Sequence, residues 1–248
     1  MIDLHLHLLP GVDDGPESVE QSLLMCRQAV ADGCVALVAT PHQRRDEWRT
    51  DDPGPLQARL AELAERTGGT PRLYLGGEVR VDSDLLADLE RPGRAGLRTL
   101  AGSRYLLIEL DPEGIGPDPV ELVGEIGRAG YFSIVAHPEL TSFLWSEEDL
   151  IDRIVEAGGL LQVTAMSVTG QFGRVVRDRA WSLLEADLVH FVASDAHRPD
   201  WRPPGLSHAH ALIAARQGLA AAQRLTVENP MAVIEDRPLA AAAVEGVG

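Results

Sequence analysis

Met1-Ile2-Asp3-Leu4-His5-Leu6-His7 opens the chain, and its reading decides the fold. Ile2–Leu8 reads as a short apolar strand. A helical pattern follows from near Pro16, with Val19, Leu23, Cys26 and Val30 at helical spacing, and it stops at Asp32-Gly33. The same strand-then-helix unit recurs along the chain. Further strands are expected at Val35–Thr40, Arg72–Gly76, Tyr105–Leu110, Phe132–Ala136, Leu160–Thr164 and Leu188–Ala193. Helices are expected over Leu56–Arg66, Ser83–Glu90, Pro119–Ala129, Glu147–Ala157 and Arg177–Glu185. Proline early in a helix and glycine just past its end punctuate several of them. Such alternation means parallel βαβ units, an α/β fold with helices packed on a parallel sheet.

At 248 residues the chain suits one domain, expected over residues 1–237, with 238–248 as a loosely held tail. Hydrophobic residues make up 45% but aromatics only 4%, so aliphatic side chains must fill the core. Acidic residues outnumber basic ones 38 to 22, which argues against nucleic acid as a partner. Every basic residue is an arginine, so lysine nucleophiles, Schiff bases and a P-loop lysine are excluded. Cys26 and Cys34 sit in apolar surroundings and read as packed thiols. No apolar run is long enough to insert in a membrane, and the N-terminus has no targeting pattern; the expected location is cytoplasmic.

The polar residues fall where strands end. His5 and His7 lie on the first strand, Asp13 and Asp14 in the loop after it, and His42 just past the second. Glu78 follows the third strand, Glu109 ends the fourth, His137 ends the fifth, and Asp195 and His197 follow the last. In parallel α/β folds these ends converge on the functional face. Side chains at i and i+2 of a strand share a face, so His5-Leu6-His7 aims two imidazoles the same way, and Asp195-Ala196-His197 repeats the geometry. Imidazole with carboxylate and no thiolate suits Mn, Fe or Zn. The set exceeds the needs of one ion and points to two or three. His190 reads as a core histidine, His208 and His210 as helix residues outside the cluster, and Arg44 and Arg45 as solvated loop residues.

These segments resemble the polymerase and histidinol phosphatase (PHP) superfamily, and within it the bacterial manganese-dependent protein tyrosine phosphatases of capsule and exopolysaccharide operons. The similarity rests on Met1–His7, Val12-Asp13-Asp14-Gly15-Pro16, Ala39-Thr40-Pro41-His42, Gly77-Glu78-Val79-Arg80 and Ser103–Glu109. It continues through Ala136-His137-Pro138-Glu139, Gly170–Gly173, Val189–His197, Arg202-Pro203-Pro204 and Glu228-Asn229-Pro230. The resemblance implies a distorted seven-stranded (β/α) barrel, PHP-like, with a trinuclear centre. It assigns His5, His7 and Asp195 to one ion with Glu78 bridging, Glu109 and His137 to a second, and Asp14, His42 and His197 to a third. Whether Asp13 or Asp14 is the ligand is open on the residues alone; the resemblance points to Asp14.

The implied reaction is phosphoester hydrolysis by water that the ions acidify, with His197 in the catalytic set and Arg202 clamping the phosphoryl group. The implied substrate is a phosphotyrosine protein, such as a bacterial tyrosine kinase tail. Self-association into a homo-oligomer stays open. Two features depart from the family pattern: Leu140 stands where an arginine is usual, and Thr164 where an asparagine is. Two competing readings remain, a small-molecule phosphatase similar to histidinol phosphatase and a non-catalytic regulator that binds a kinase tail.

Overall fold

Strands buried on both faces read as continuous apolar runs, and the expected runs all form strands in the computed structural model, which describes residues 1–48, 50–90 and 97–239. The first half of the chain forms β1 (Ile2–Leu6), α1 (Val19–Ala31), β2 (Ala36–Ala39), β3 (His42–Gln43), α2 (Pro53–Arg66), β4 (Arg72–Leu75), β5 (Glu78–Arg80) and α3 (Leu85–Glu90). Next come β6 (Tyr105–Glu109), α4 (Pro119–Arg128), β7 (Phe132–Ala136), α5 (Leu150–Glu156), β8 (Leu160–Thr164), α6 (Ala165–Thr169), α7 (Arg174–Glu185) and β9 (Val189–Ala193). The chain closes with α8 (Ser207–Gln217), α9 (Leu219–Gln223), a π-helical turn over Arg224–Glu228 and α10 (Asn229–Ile234). Ser18 caps α1 by accepting from the Gln21 N–H, so this helix begins later than Pro16 suggests. Asp52 and Asp118 cap α2 and α4 just ahead of Pro53 and Pro119. Residues 240–248 of the expected tail lie outside the described residues, whereas Leu239 is buried.

All strand pairs are parallel, as the expected α/β fold requires, and the strands number more than the seven of the expected distorted barrel. Nine strands are present among the described residues, in two sheets ordered β1-β2-β4 and β3-β5-β6-β7-β8-β9, neither closed on itself. The difference has a local cause. Two expected strands are each followed by a short extra one: β2 gives way to β3 past Thr40-Pro41, where proline has no N–H for a ladder. Alongside it, β4 gives way to β5 at Gly76-Gly77. His42 and Glu78 therefore do not follow strands as loop residues. They occupy short strands of their own and face each other across the β3–β5 register.

Alternation divides the core in two. Leu106, Ile108, Val135, Leu161 and Val163 pack against helix residues such as Met25, Leu63, Ile126, Ile154 and Leu183. Residues of opposite parity, including Leu107, Ile134, Leu160 and Phe191, join Ile2, Leu4 and Val38 in a second cluster, covered by Val233 and Leu239. The free edges of the two sheets meet where Leu6 bridges Ala196: the His7 N–H donates to the Ala196 carbonyl at 2.7 Å and the Asp195 N–H to the His5 carbonyl at 2.8 Å. No helix among the described residues is long and apolar enough to cross a membrane.

The strand break needs Gly76, since a Cβ there would sit 2.9 Å from Leu100 Cδ2 and 3.0 Å from Val38 Cγ1. Gly76→Val should cost about 1–3 kcal/mol by overpacking, read as a lower urea midpoint at constant slope. An unchanged midpoint would show that the break tolerates a side chain.

Candidate metal centre

The residues expected at strand ends do converge. His5 Nε2 lies 3.4 Å from Glu78 Oε1 and 3.4 Å from Asp195 Oδ1. His7 Nε2 lies 3.7 Å from Glu78 Oε2 and 3.6 Å from Asp195 Oδ1. His42 Nδ1 and His137 Nε2 approach the two oxygens of Glu78 at 2.8 and 3.0 Å. Asp14 stands between His42 Nε2 at 3.5 Å and His197 Nε2 at 3.4 Å. Three groups have donor atoms close enough to share an ion: His7, Asp14, His42 and His197; His5, His7 and Asp195; and His42, Glu78 and Glu109. All of these except the fully buried His5 line a cleft of about 280 Å³.

Local structure explains the aim of each side chain. The register of β1 shifts between Asp3 and Leu6, the kind of irregularity that redirects side chains. Buried Asp3 anchors that segment, accepting from the Ser194 N–H at 3.0 Å, and burial pushes its carboxyl up to about 6. Gly15 closes the Asp-Asp-Gly-Pro loop directly over His7, where a Cβ would meet His7 Cβ and its carbonyl at 2.9 Å.

The imidazoles are oriented from behind. His5 Nδ1–H donates to Gln162 Oε1 at 2.8 Å, His7 Nδ1–H to Asp13 Oδ2 at 2.7 Å, and His197 Nδ1–H to the Asp195 carbonyl at 3.0 Å. Each of these bonds leaves Nε2 with its lone pair facing the carboxylates. His5 Nε2, His7 Nε2, His137 Nδ1, Asp14 Oδ1 and Glu78 Oε2 are buried with no hydrogen-bond partner among the described residues. Orphaned lone pairs backed by fixed N–H bonds are the donor set that a divalent transition metal requires. Asp13 also accepts from the His42 N–H at 3.1 Å, so it braces the site while Asp14 faces into it.

Electrostatics point the same way. Burial alone would neutralise Glu78, but His5, His137 and His42 hold its carboxyl well below the usual range. Burial opposes protonation of His42 and His137, yet the carboxylates beside them push both up to about 9. Asp14 and Asp195 are likewise held below the ordinary value against burial, by the histidines around them. The buried carboxylates that favour a proton on His42 and His137 would favour a metal cation in its place. Burial also pushes the Cys26 thiol up to about 11 and raises that of Cys34, so neither is a thiolate nucleophile.

Residues 1–235 match the family model for capsular polysaccharide synthesis, CpsB/CapC. The chain belongs to the CpsB/CapC family. It is 30% identical over 244 residues to tyrosine-protein phosphatase CpsB of Streptococcus pneumoniae, covering 96% of this chain and 99% of that one. It is 32% identical to tyrosine-protein phosphatase YwqE of Bacillus subtilis (strain 168), covering 79% of this chain and 77% of the other. A chain from the crystal structures of YwqE and CpsB, unique metal-dependent tyrosine phosphatases, superposes with a TM-score of 0.89 at 29% identity, covering 96% of each chain. The organophosphorus hydrolase from Deinococcus radiodurans shares the fold alone, with a TM-score of 0.61 at 14% identity and coverage of 94% and 92%.

In this CpsB/CapC member the arginines correct an expectation. Arg44 is no solvated loop residue: it grips Asp82 through Nε at 2.9 Å and Nη2 at 2.6 Å and also reaches Asp88. Arg45 donates to Glu109 Oε1 at 2.6 Å inside the cleft. Both were drawn inward by carboxylates remote in sequence. Arg202 donates to Asp195 Oδ2 and also lines the cleft, as does Leu140. Trp48 stacks on His42 at 4.9 Å, and Trp201 meets His197 edge-on at 5.6 Å. Gln162, Trp48 and Trp201 carry no motif signal, although Trp48 lies close after His42. Outside the cluster, His190 Nδ1 accepts from the Leu161 N–H at 3.2 Å, His210 pairs with Thr226 at 2.9 Å, and His208 is exposed.

If Asp13 braces His7, Asp13→Ala should lower metal affinity by roughly 10- to 100-fold with the fold retained. Competition against a metallochromic chelator reads this directly; wild-type affinity in the variant would remove Asp13 from the support.

Proposed function

We propose that this chain is a metal-dependent protein-tyrosine phosphatase of capsule or exopolysaccharide synthesis. The observation that carries the reading is the pair of buried His5 and His7 Nε2 atoms, unpartnered and facing Glu78 and Asp195. The names of its relatives support the substrate class. In this reading His5, His7 and Asp195 hold one cation, Glu78, Glu109 and His137 a second, and Asp14, His42 and His197 a third. Their nitrogen and oxygen donors suit manganese, with iron or zinc as substitutes. When bound, divalent cations supply positive charge to phosphoryl oxygens and acidify water at the site.

The chain itself does the positioning. Arg202, flanked by Phe172 and Trp201 at 5.3 and 5.8 Å, presents a planar fork to two phosphoryl oxygens, and its bond to Asp195 fixes that fork at the cleft. Trp48 and Trp201 offer flat apolar surface beside the cluster for a phenyl ring. A tyrosine phenolate has a conjugate-acid pKa of about 10, so it departs with less protonation than an alkoxide, and no dedicated acid is required of the chain. The partner is a phosphotyrosine protein, in keeping with a kinase tail, and the catalytic unit is one domain over residues 1–237, close to the family match.

Chelation should abolish hydrolysis of a phosphotyrosine peptide and manganese should restore it. Full turnover in a verified metal-free preparation would sink the mechanism. Faster turnover of histidinol phosphate than of the peptide would move the substrate to the small-molecule class.

Arg202→Lys and Arg202→Ala should each reduce kcat/KM by about tenfold or more while metal content per chain stays constant. Near wild-type turnover in either would make Arg202 a bystander.

A further inference from the structure

We infer, resting on the phosphatase reading above, that Arg45 is a second phosphate-binding guanidinium, acting beside Arg202. The two arginines share one environment. Each has Nη2 on a carboxylate of the cluster, Arg45 on Glu109 and Arg202 on Asp195. Their side chains are 20% and 18% exposed. Each guanidinium lies near a tryptophan ring, Arg45 at 5.9 Å from Trp48 and Arg202 at 5.8 Å from Trp201. Each leaves its Nε–H buried without a hydrogen-bond partner among the described residues.

Both guanidiniums line the cleft and stay partly exposed there, so the N–H donors that their carboxylates leave free can meet a ligand oxygen. The chemistry needs more than one such donor. A transferring phosphoryl group spreads charge over three equatorial oxygens, and one planar fork meets two at a time. Leu140, which lines the same cleft, brings no charge. Two other arginines close in sequence to site residues are committed elsewhere: Arg44 to Asp82 and Asp88, and Arg80 to Asp111 at 2.6 Å. Arg45 and Arg202 are the arginines that line the cleft among the described residues.

Inorganic phosphate, titrated by calorimetry into the manganese-loaded full chain, tests the assignment without relying on turnover. Arg45→Ala and Arg45→Gln should each weaken phosphate binding by about tenfold or more and lower kcat/KM on a phosphotyrosine peptide by about ten- to hundredfold. Metal content per chain should not change. Arg44→Ala should bind phosphate like wild type. Unchanged phosphate affinity in the Arg45 variants would overturn the assignment. So would an equal loss in Arg44→Ala, which would mean diffuse charge, or loss of metal from the Arg45 variants, which would mean that Arg45 only braces Glu109. A wild-type chain that binds phosphate through Arg45 yet leaves phosphotyrosine intact would instead overturn the phosphatase reading and keep the guanidinium.

Discussion

Glu78 is the group on which the site depends. It is 1% exposed, and a carboxylate so buried is costly unless paired and hydrogen-bonded. His5, His7, His42 and His137 all converge on its two oxygens, from β1 and the residue just past it, from β3 and from the end of β7. Its own place comes from a strand too short to stand alone: β5 is held between β3 and β6, with His42 opposite Glu78 on one side and Leu107 opposite it on the other. The break at Gly76-Gly77 that ends β4 is therefore what delivers the central carboxylate. The matching break at Pro41 delivers His42. The short strands that follow the two breaks thus bring His42 and Glu78 to the cleft.

Backbone geometry at the rim shows a related compromise. His137, Asp195 and Arg202 all adopt positive φ, at 35°, 51° and 56°, a region that ordinary residues avoid. Such positions cost of order 1–3 kcal/mol each and persist where surrounding bonds over-determine them. Here those bonds are visible. The His137 N–H donates to the Gln162 carbonyl at 2.8 Å, and the His197 N–H to the Arg202 carbonyl at 2.9 Å. The chain leaves each strand and turns at once toward the cluster. Gln162 serves twice, its carbonyl fixing His137 and its side chain fixing His5, so β8 orients the site without presenting a ligand of its own.

Much of this was legible in the sequence, for reasons that differ by residue. The long strands showed as apolar runs because both faces are buried, and the cluster showed because imidazoles and carboxylates recurred at strand ends. β3 and β5 did not show, since strands of two and three residues carry no periodicity. The braces were illegible because their partners are remote: Gln162 is 157 positions from His5, and Glu109 is 64 from Arg45. A charged loop residue is solvated by default, which is why Arg44 and Arg45 read as surface until the fold supplied Asp82, Asp88 and Glu109. Asp13 and Asp14 are adjacent and chemically identical. Only the turn at Gly15, pressed against His7, sends one behind the imidazole and the other into the cleft.

The net charge of −16 sits oddly with an anionic substrate, and even three divalent cations would leave the chain acidic. Range resolves the conflict. At physiological ionic strength, exposed charges are screened beyond about 8 Å, so the acidic surface sets long-range encounter and solubility more than affinity. Inside the cleft the relevant charges are few and poorly screened. Arg45 and Arg202 stand there mostly desolvated, each neutralised by a carboxylate that the cluster can also use as a ligand. Glu109 and Asp195 thus have two rival partners, a guanidinium and a cation. Cations held by the cluster would share those carboxylates and leave more of each guanidinium's charge to a phosphoryl group, so cation binding and anion binding would reinforce each other at this site.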